Sequence, residues 1–455
     1  MIKKETIIKV FSNFLSLLFL TILLPTLLWR GVYSLWGIAL VPFFLNIFLN
    51  HKKTKKVLLH GTIMSVFFAI GGYWWVYTQD GEISLFFLAL IMSLFFWITL
   101  SYLSYTLTNK HKNNYFLIIS IPFVFILLQY FVSFIQLGGF IFEIGSFVKE
   151  TGTLSMFIGL RGITFLVVAL NVVFALLLYT FFSETNKTKK NRHLLLYSLM
   201  VFLILLVLFI PSLEEEKTDN KINITVAAIQ PNFDQSWEWR TNNVEKAIVE
   251  RNLNLTDYAI NYGAKIVVWP EYAMPADLIN DKPHLLETIQ EYAKKNEVNL
   301  IIGSLLYRKN QKHLNIVIYI NSNGTFLGHS GSIFPGFFNT GAVSTKNNQT
   351  VFQFDYKGNK IKVSSLICYE EFFPKYFSER RTDGVDLFVV IANNRRFGFG
   401  AGLAAQFSKH RAAENNVPLI RASNTGISQI INSKGKILIQ SDNNIKTILV
   451  QSVLI

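Results

Sequence analysis

The chain has one cysteine, Cys368, at the end of an apolar run in Ser-Leu-Ile-Cys-Tyr-Glu-Glu-Phe-Phe-Pro. A strand that runs into a turn presents a nucleophile well, because the strand fixes the backbone while the turn exposes the side chain. The same place suits a small buried apolar side chain, the commoner use of a free cysteine. With no second cysteine, a disulfide within the chain is excluded. Glu271 follows another apolar run, in Lys-Ile-Val-Val-Trp-Pro-Glu-Tyr. A carboxylate behind a strand and a rigid Trp-Pro pair can be held partly desolvated, which raises its pKa and suits a general base. A helix N-cap or a solvated turn acid fits those residues too. A third stretch, Arg421-Ala-Ser-Asn-Thr-Gly-Ile-Ser, closes a strand with polar residues and a turn glycine. It lines a cleft or makes an ordinary turn.

The elements that must position these residues are short β-rich runs alternating with amphipathic helices. Strands are expected at Ile222–Ala228, Lys265–Trp269, Leu300–Leu306, Ile316–Ile320, Ile361–Ile367, Asp386–Ile391 and Leu419–Ala422. Helices are expected at Val244–Tyr262, His284–Lys295 and Ala404–Asn415. Such alternation predicts a layered α/β domain over 222–455.

Before that domain the chain has another character. Of 455 residues, 51% are apolar and only 16% charged, which points to a membrane protein and excludes a disordered chain or a disulfide-stapled module. Seven apolar runs occupy residues 1–213: Val10–Leu28, Val32–Leu49, Val57–Tyr77, Leu85–Leu107, Tyr115–Leu137, Gly162–Phe182 and Leu194–Ile210. Each is long enough for a helix to cross the hydrocarbon core. The first follows Lys3, Lys4 and Lys9 but has no small-residue cleavage site, so it reads as a retained helix. The polar connector Pro211–Lys221 marks the boundary.

Charge gives the orientation. Residues up to Leu213 carry 16 Lys/Arg against 6 Asp/Glu, and the remainder 27 against 23. A nucleic-acid binder concentrates its basic charge on the folded soluble part. Here the excess flanks apolar segments, so no nucleic-acid partner is expected. Lysines 3, 4 and 9, lysines 52, 53, 55 and 56, Lys110 and Lys112, and the Lys187–Arg192 cluster fall on one side of the seven spans. The positive-inside rule places that side and the amino terminus in the cytoplasm, and an odd number of spans delivers 222–455 outside.

Trp-Pro-Glu (269–271), Ile-Cys-Tyr-Glu (367–370) and Arg-Ala-Ser-Asn-Thr-Gly-Ile-Ser (421–428), in that order after a multi-span region, resemble the apolipoprotein N-acyltransferase family. Ala-Ile-Gln-Pro-Asn (228–232), Arg411-Ala-Ala-Glu414 and Pro418-Leu-Ile-Arg421 match further, and Gly71-Gly-Tyr-Trp-Trp and Gly162-Ile-Thr-Phe-Leu-Val-Val match more loosely. The resemblance implies a polytopic helical membrane domain followed by a nitrilase-like (carbon–nitrogen hydrolase) α-β-β-α sandwich on the periplasmic face of the inner membrane. It implies Cys368 as nucleophile, Glu271 as base, Glu370 beside the nucleophile, and Tyr369 and Asn424 in support. The implied reaction passes a fatty acyl group from phospholipid to a lipoprotein's amino-terminal diacylglyceryl-cysteine through a Cys368 thioester. No metal or other cofactor is expected.

The sequence also departs from the family. A lysine is due where Gly328-His-Ser-Gly-Ser-Ile-Phe-Pro carries Ser332, and the glutamate that follows it is replaced near Phe338. Loss of an oxyanion-type donor costs about 10²–10³ in rate. His329 is the nearest replacement, with Lys309, Lys312 and Lys346 in neighbouring loops. Asn393-Asn-Arg-Arg-Phe-Gly398 stands where the family has Asn-Asp-x-Trp-Phe-Gly, so two arginines meet lipid phosphates or a solvated turn. The segment between Gly328 and the strand before Cys368 is short, which should alter substrate gating. The chain ends at Ile455 where the family has an eighth span, so the domain is expected to be tethered at one end. Three functions remain: the acyltransferase, an inactive member that binds membrane lipid or lipoprotein, and a hydrolase of a small amide. The seven spans disfavour the last, since a soluble amide needs no membrane half.

Overall fold

The computed structural model describes residues 38–80, 83–111, 113–134, 143–148, 152–208, 222–233, 244–307, 313–334, 350–395 and 401–455. The chain divides into two compact units, Met1–Pro211 and Ser212–Ile455.

The first unit is helical: α1 (Val41–Leu49), α2 (Thr54–Asp80), α3 (Ile83–Lys110), α4 (Asn114–Phe134), α5 (Gly152–Ser183) and α6 (Lys187–Leu208). Among the described residues, four segments, Phe86–Lys110, Asn114–Ser133, Leu154–Ser183 and Lys187–Leu208, are long and apolar enough to cross a membrane. The expected span at 10–28 lies outside the described residues. Of the one expected at Val32–Leu49, the described part is helical only over α1. Helix α6 starts seven residues before the apolar run at Leu194, because long basic side chains at a helix end keep their charge in water while the backbone stays helical. Helix α5 likewise begins ten residues before Gly162, running through a break at Gly159, whose φ of 63° and ψ of 174° only glycine adopts freely. On α4, Ile119, Phe123 and Leu127 recur every four residues and stay exposed, the stripe a lipid-facing helix shows.

The second unit contains β1 (Asn223–Gln230), α7 (Val244–Asn261), β2 (Ile266–Asp277), α8 (Pro283–Lys295), β3 (Asn299–Tyr307), β4 (His313–Ile320), β5 (Phe326–Gly331), β6 (Phe352–Tyr356) and β7 (Asn359–Ile367). It continues through a 3₁₀ turn (Cys368–Phe372), α9 (Pro374–Thr382), β8 (Leu387–Ala392), α10 (Ala401–Asn415), β9 (Leu419–Ser423), β10 (Gln429–Ile431), β11 (Ile437–Gln440) and β12 (Thr447–Leu454). Two six-stranded sheets result, in the orders β12-β1-β2-β3-β4-β5 and β11-β10-β9-β8-β7-β6. In the middle of each, β1-β2-β3 and β7-β8-β9 run parallel. Strand β8, Leu-Phe-Val-Val-Ile-Ala, is buried on both faces, as a central parallel strand must be.

Strand alternation builds four layers. Val226, Ala228 and Val268 meet Val389, Ile391 and Ile420 between the sheets. Ala227, Val267 and Ile302 face α7 and α8 on one outside, while Leu366, Phe388 and Val390 face α9 and α10 on the other. This is the expected α-β-β-α sandwich.

One irregularity matters for chemistry. Along β2 and β3, Trp269 pairs with Ile302 and the next pair is Met274 with Ser304, so four residues of β2 face Gly303 alone. Such a bulge re-aims side chains. Regular alternation from Trp269, which packs under the outer helices, would send Glu271 the same way. The bulge, with Tyr272 at a φ of 56°, turns Glu271 toward the inter-sheet side instead. Gly303 makes it possible, since a Cβ there would lie 2.2 Å from the Pro270 carbonyl oxygen. Gly303→Ala should therefore cost about 1–3 kcal/mol, as overpacking does. A lower melting temperature and displaced Glu271 chemistry would be read together by thermal unfolding and activity, whereas an unchanged variant would contradict the bulge account.

Candidate active site

The carboxyl ends of parallel strands are where layered α/β domains place their sites. Glu271 lies in the bulge of β2, Cys368 follows β7, Asn393 follows β8 and Asn424 follows β9. The fold thus brings Cys368 and Glu271 together from different sheets.

Glu271 is only 4% exposed. Its Oε1 accepts from Asn315 Nδ2 at 2.6 Å, and it also takes hydrogen bonds from the Cys368 thiol and the Asn393 backbone N–H. Burial outweighs these and lifts its pKa from the usual carboxylate range to about 7. Cys368 sits at a φ of 51°, a left-handed conformation that a side chain other than glycine's adopts at a cost of order 1–3 kcal/mol. The surrounding turn sustains it. The residue as a whole is half-buried. Its pKa is pushed well above the ordinary range, first by burial and then by the charge of Glu271, with the Asn393 N–H pulling the other way. The pair therefore holds its proton on sulfur with an acceptor already in line.

Glu370 has a different task. Its Oε1 accepts from Ser332 Oγ (3.1 Å), Ile333 N (2.7 Å) and Phe334 N (3.0 Å), and its Oε2 from Ile367 N (3.0 Å). It pins the segment after β5 to the turn that carries Cys368. Ser332, where the sequence resemblance leads one to expect a lysine, is buried and directed at Glu370. Tyr369 is buried among Phe334, Phe372 and Phe373, with ring centroids 5.1–5.8 Å away.

Asn424 serves as a clamp. Its Oδ1 accepts from Phe233 N (2.9 Å), its Nδ2 donates to Phe233 O (3.2 Å), and its N–H donates to Ala392 O (2.9 Å). It thus ties the segment after β1 to β8. His329 is placed differently from the expectation that it stands in for lysine. It pairs with Ile318 of β4, whose side chain packs in the outer core, while neighbouring Ser330 meets Tyr319 on the inter-sheet face. Alternation therefore turns His329 to the face opposite Ser330. Lys309, Lys312, Lys346 and Arg396 lie outside the described residues, and the Arg395 N–H donates to Asn393 Oδ1 at 3.4 Å.

Sequence reasoning passed over Asn315, the Asn393 N–H and Glu371. Asn315 left a signal, a lone amide in the otherwise apolar strand Leu-Asn-Ile-Val-Ile-Tyr. A backbone donor leaves none.

The carbon-nitrogen hydrolase family model matches residues 225–453. An apolipoprotein N-acyltransferase of Geobacter metallireducens is 26% identical over 439 residues, covering 90% of this chain and 82% of its own. One from Wigglesworthia glossinidia brevipalpis is 24% identical over 445 residues, covering 89% and 85%. A crystal structure of a carbon-nitrogen hydrolase from Helicobacter pylori aligns with a TM-score of 0.41 and 16% identity over 51% of this chain and 89% of its own.

The four donors on Glu370 yield a prediction. Glu370→Gln places an amide against one of those N–H groups, and the loss of acceptors should cost about 1–3 kcal/mol. The melting temperature should fall and the Ile333 and Phe334 amides should exchange faster with solvent. Unchanged exchange would remove Glu370 from the positioning role.

Proposed function

Because the chain belongs to the carbon-nitrogen hydrolase family, as a divergent member of its apolipoprotein N-acyltransferase branch, we propose that it passes a fatty acyl group from a membrane phospholipid to the amino-terminal diacylglyceryl-cysteine of lipoproteins. The observation that carries this reading is the Cys368 thiol hydrogen-bonded to a buried carboxylate with a pKa of about 7. Such a pair is a nucleophile with its general base in place.

In the first half-reaction the Cys368 sulfur attacks the ester carbonyl as its proton moves to Glu271. Collapse of the tetrahedral adduct breaks the ester C–O bond, and Glu271 returns the proton to the departing lysophospholipid oxygen. The thioester remains on Cys368. In the second, the lipoprotein amine attacks the thioester carbonyl, Glu271 takes a proton from the amine, and the sulfur leaves and recovers it. An amide and the free thiol result. The basic flanks of the apolar segments support an orientation in which these loops face the cytoplasm and the catalytic domain lies outside the inner membrane.

Ser332 favours a second reading. With a hydroxyl committed to Glu370 where a cation is due, the chain would be an inactive member that binds lipid or lipoprotein.

Intact-mass spectrometry of the detergent-purified chain after incubation with phospholipid separates the two. An acyl adduct removed by hydroxylamine and absent in Cys368→Ser is expected. Glu271→Gln should slow its formation by about 10²–10⁴. Folded protein with no adduct from any phospholipid class would overturn the enzyme reading. Below about pH 7 Glu271 is protonated and cannot take the thiol proton. The acylation rate should therefore fall about tenfold per pH unit on the acid side and level off above it.

A further inference from the structure

The donor that meets the thiol is the N–H of Asn393, and a backbone donor is only as well placed as its loop. The next residue shows how that loop is held. Asn394 is 2% exposed, and its Oδ1 accepts from Arg421 Nη2 at 2.8 Å. The same guanidinium forks onto Glu371, with Nη2 to Oε1 at 2.8 Å and Nε to Oε2 at 2.9 Å. Glu371 lies three residues past Cys368 in the nucleophile turn and also accepts from Ser408 Oγ at 3.1 Å. Beside them, Asn394 N–H donates to Thr425 O (3.2 Å) and Thr425 Oγ1 to Asn393 Oδ1 (2.9 Å). Gly426 leaves the space, since a Cβ there would lie 2.7 Å from Asn394 Oδ1.

From this we propose that Glu371, Arg421 and Asn394 form a positioning chain that locks the nucleophile turn to the Asn393 loop and so fixes the Asn393 N–H against the Cys368 sulfur. The proposal rests on the acyltransfer reading for its purpose and on these contacts for its geometry. The ion pair is wholly buried, with side-chain exposures of 0% and 1%. A buried pair is poor value as stability alone, because desolvation offsets most of its attraction. Its planar fork is good at holding two partners in one geometry, which lysine could not do. Glu371 balances the charge of Arg421, so the chain acts on the thiol by placement rather than as a substitute cation. Any oxyanion formed at Cys368 would meet the same N–H.

The test is the iodoacetamide alkylation rate of Cys368 in the full-length protein in detergent at pH 9. Asn394→Ala removes the link to the loop and leaves the Glu371–Arg421 pair intact. Its alkylation should slow about tenfold, the effect of one pKa unit on thiolate, and acyl-transfer kcat should fall with KM unchanged. Arg421→Lys should behave alike, while Tyr292→Phe, on the outer helix α8, should alkylate as wild type. A folded Asn394→Ala or Arg421→Lys variant with the wild-type alkylation rate would overturn the proposal. Alkylation needs no acyl donor, so wild type that shows this pattern but forms no acyl adduct would sink the acyltransferase reading and leave the positioning chain standing.

Discussion

The hydrogen bond between Cys368 and Glu271 is the constraint around which the second unit is arranged. It joins two sheets, and neither side chain reaches it by regular alternation. Glu271 needs a four-residue bulge against Gly303, and Cys368 needs a left-handed residue at a strand end. Asn315 and the Asn393 N–H then satisfy a carboxylate that burial would otherwise drive to hold its proton. The local costs, a strained Cys368 and a desolvated acid, fall where a resting proton must be ready to move.

A serine where the sequence resemblance leads one to expect a lysine bears on the electrostatics. A cation beside the thiol would favour thiolate at rest. Here the position is Ser332, serving Glu370, and the buried cation of Arg421 is balanced by Glu371. The thiol accordingly stays protonated, and in the proposed reaction Glu271 would take its proton. The helical unit supplies apolar segments long enough to lie in a bilayer, as the proposed transfer from a lipid donor would require.

Much of this was legible in the sequence. Apolar runs ending in Glu271 and Cys368 are central parallel strands, whose burial on both faces writes itself as continuous hydrophobicity. Harder to read was anything set by long-range geometry. Strand β2 runs on through Pro270 to Asp277, because the bulge lets a proline sit where the ladder is interrupted. Strand β5 contains two glycines, a histidine and a serine, and β6 is five residues long with two of them buried, Phe352 and Phe354, so neither carries a strong apolar signal. The stretch around Asn424 reads equally as a cleft lining or a turn, because polar motifs at strand ends look alike whether they bind substrate or fasten loops. His329 was one register step from the useful face, and period-two geometry cannot be assigned before the partner strand is known.

The resting thiol holds its proton, and a single measurement reaches this directly. Cys368 is the only cysteine in the chain, so the infrared S–H stretching band of the purified protein reports on it without ambiguity. The band should be present at pH 7 and pH 8, shifted by the hydrogen bond to Glu271 and altered in Glu271→Gln. Absence of the band at pH 7 in folded protein, which would mean a preformed thiolate, would contradict it.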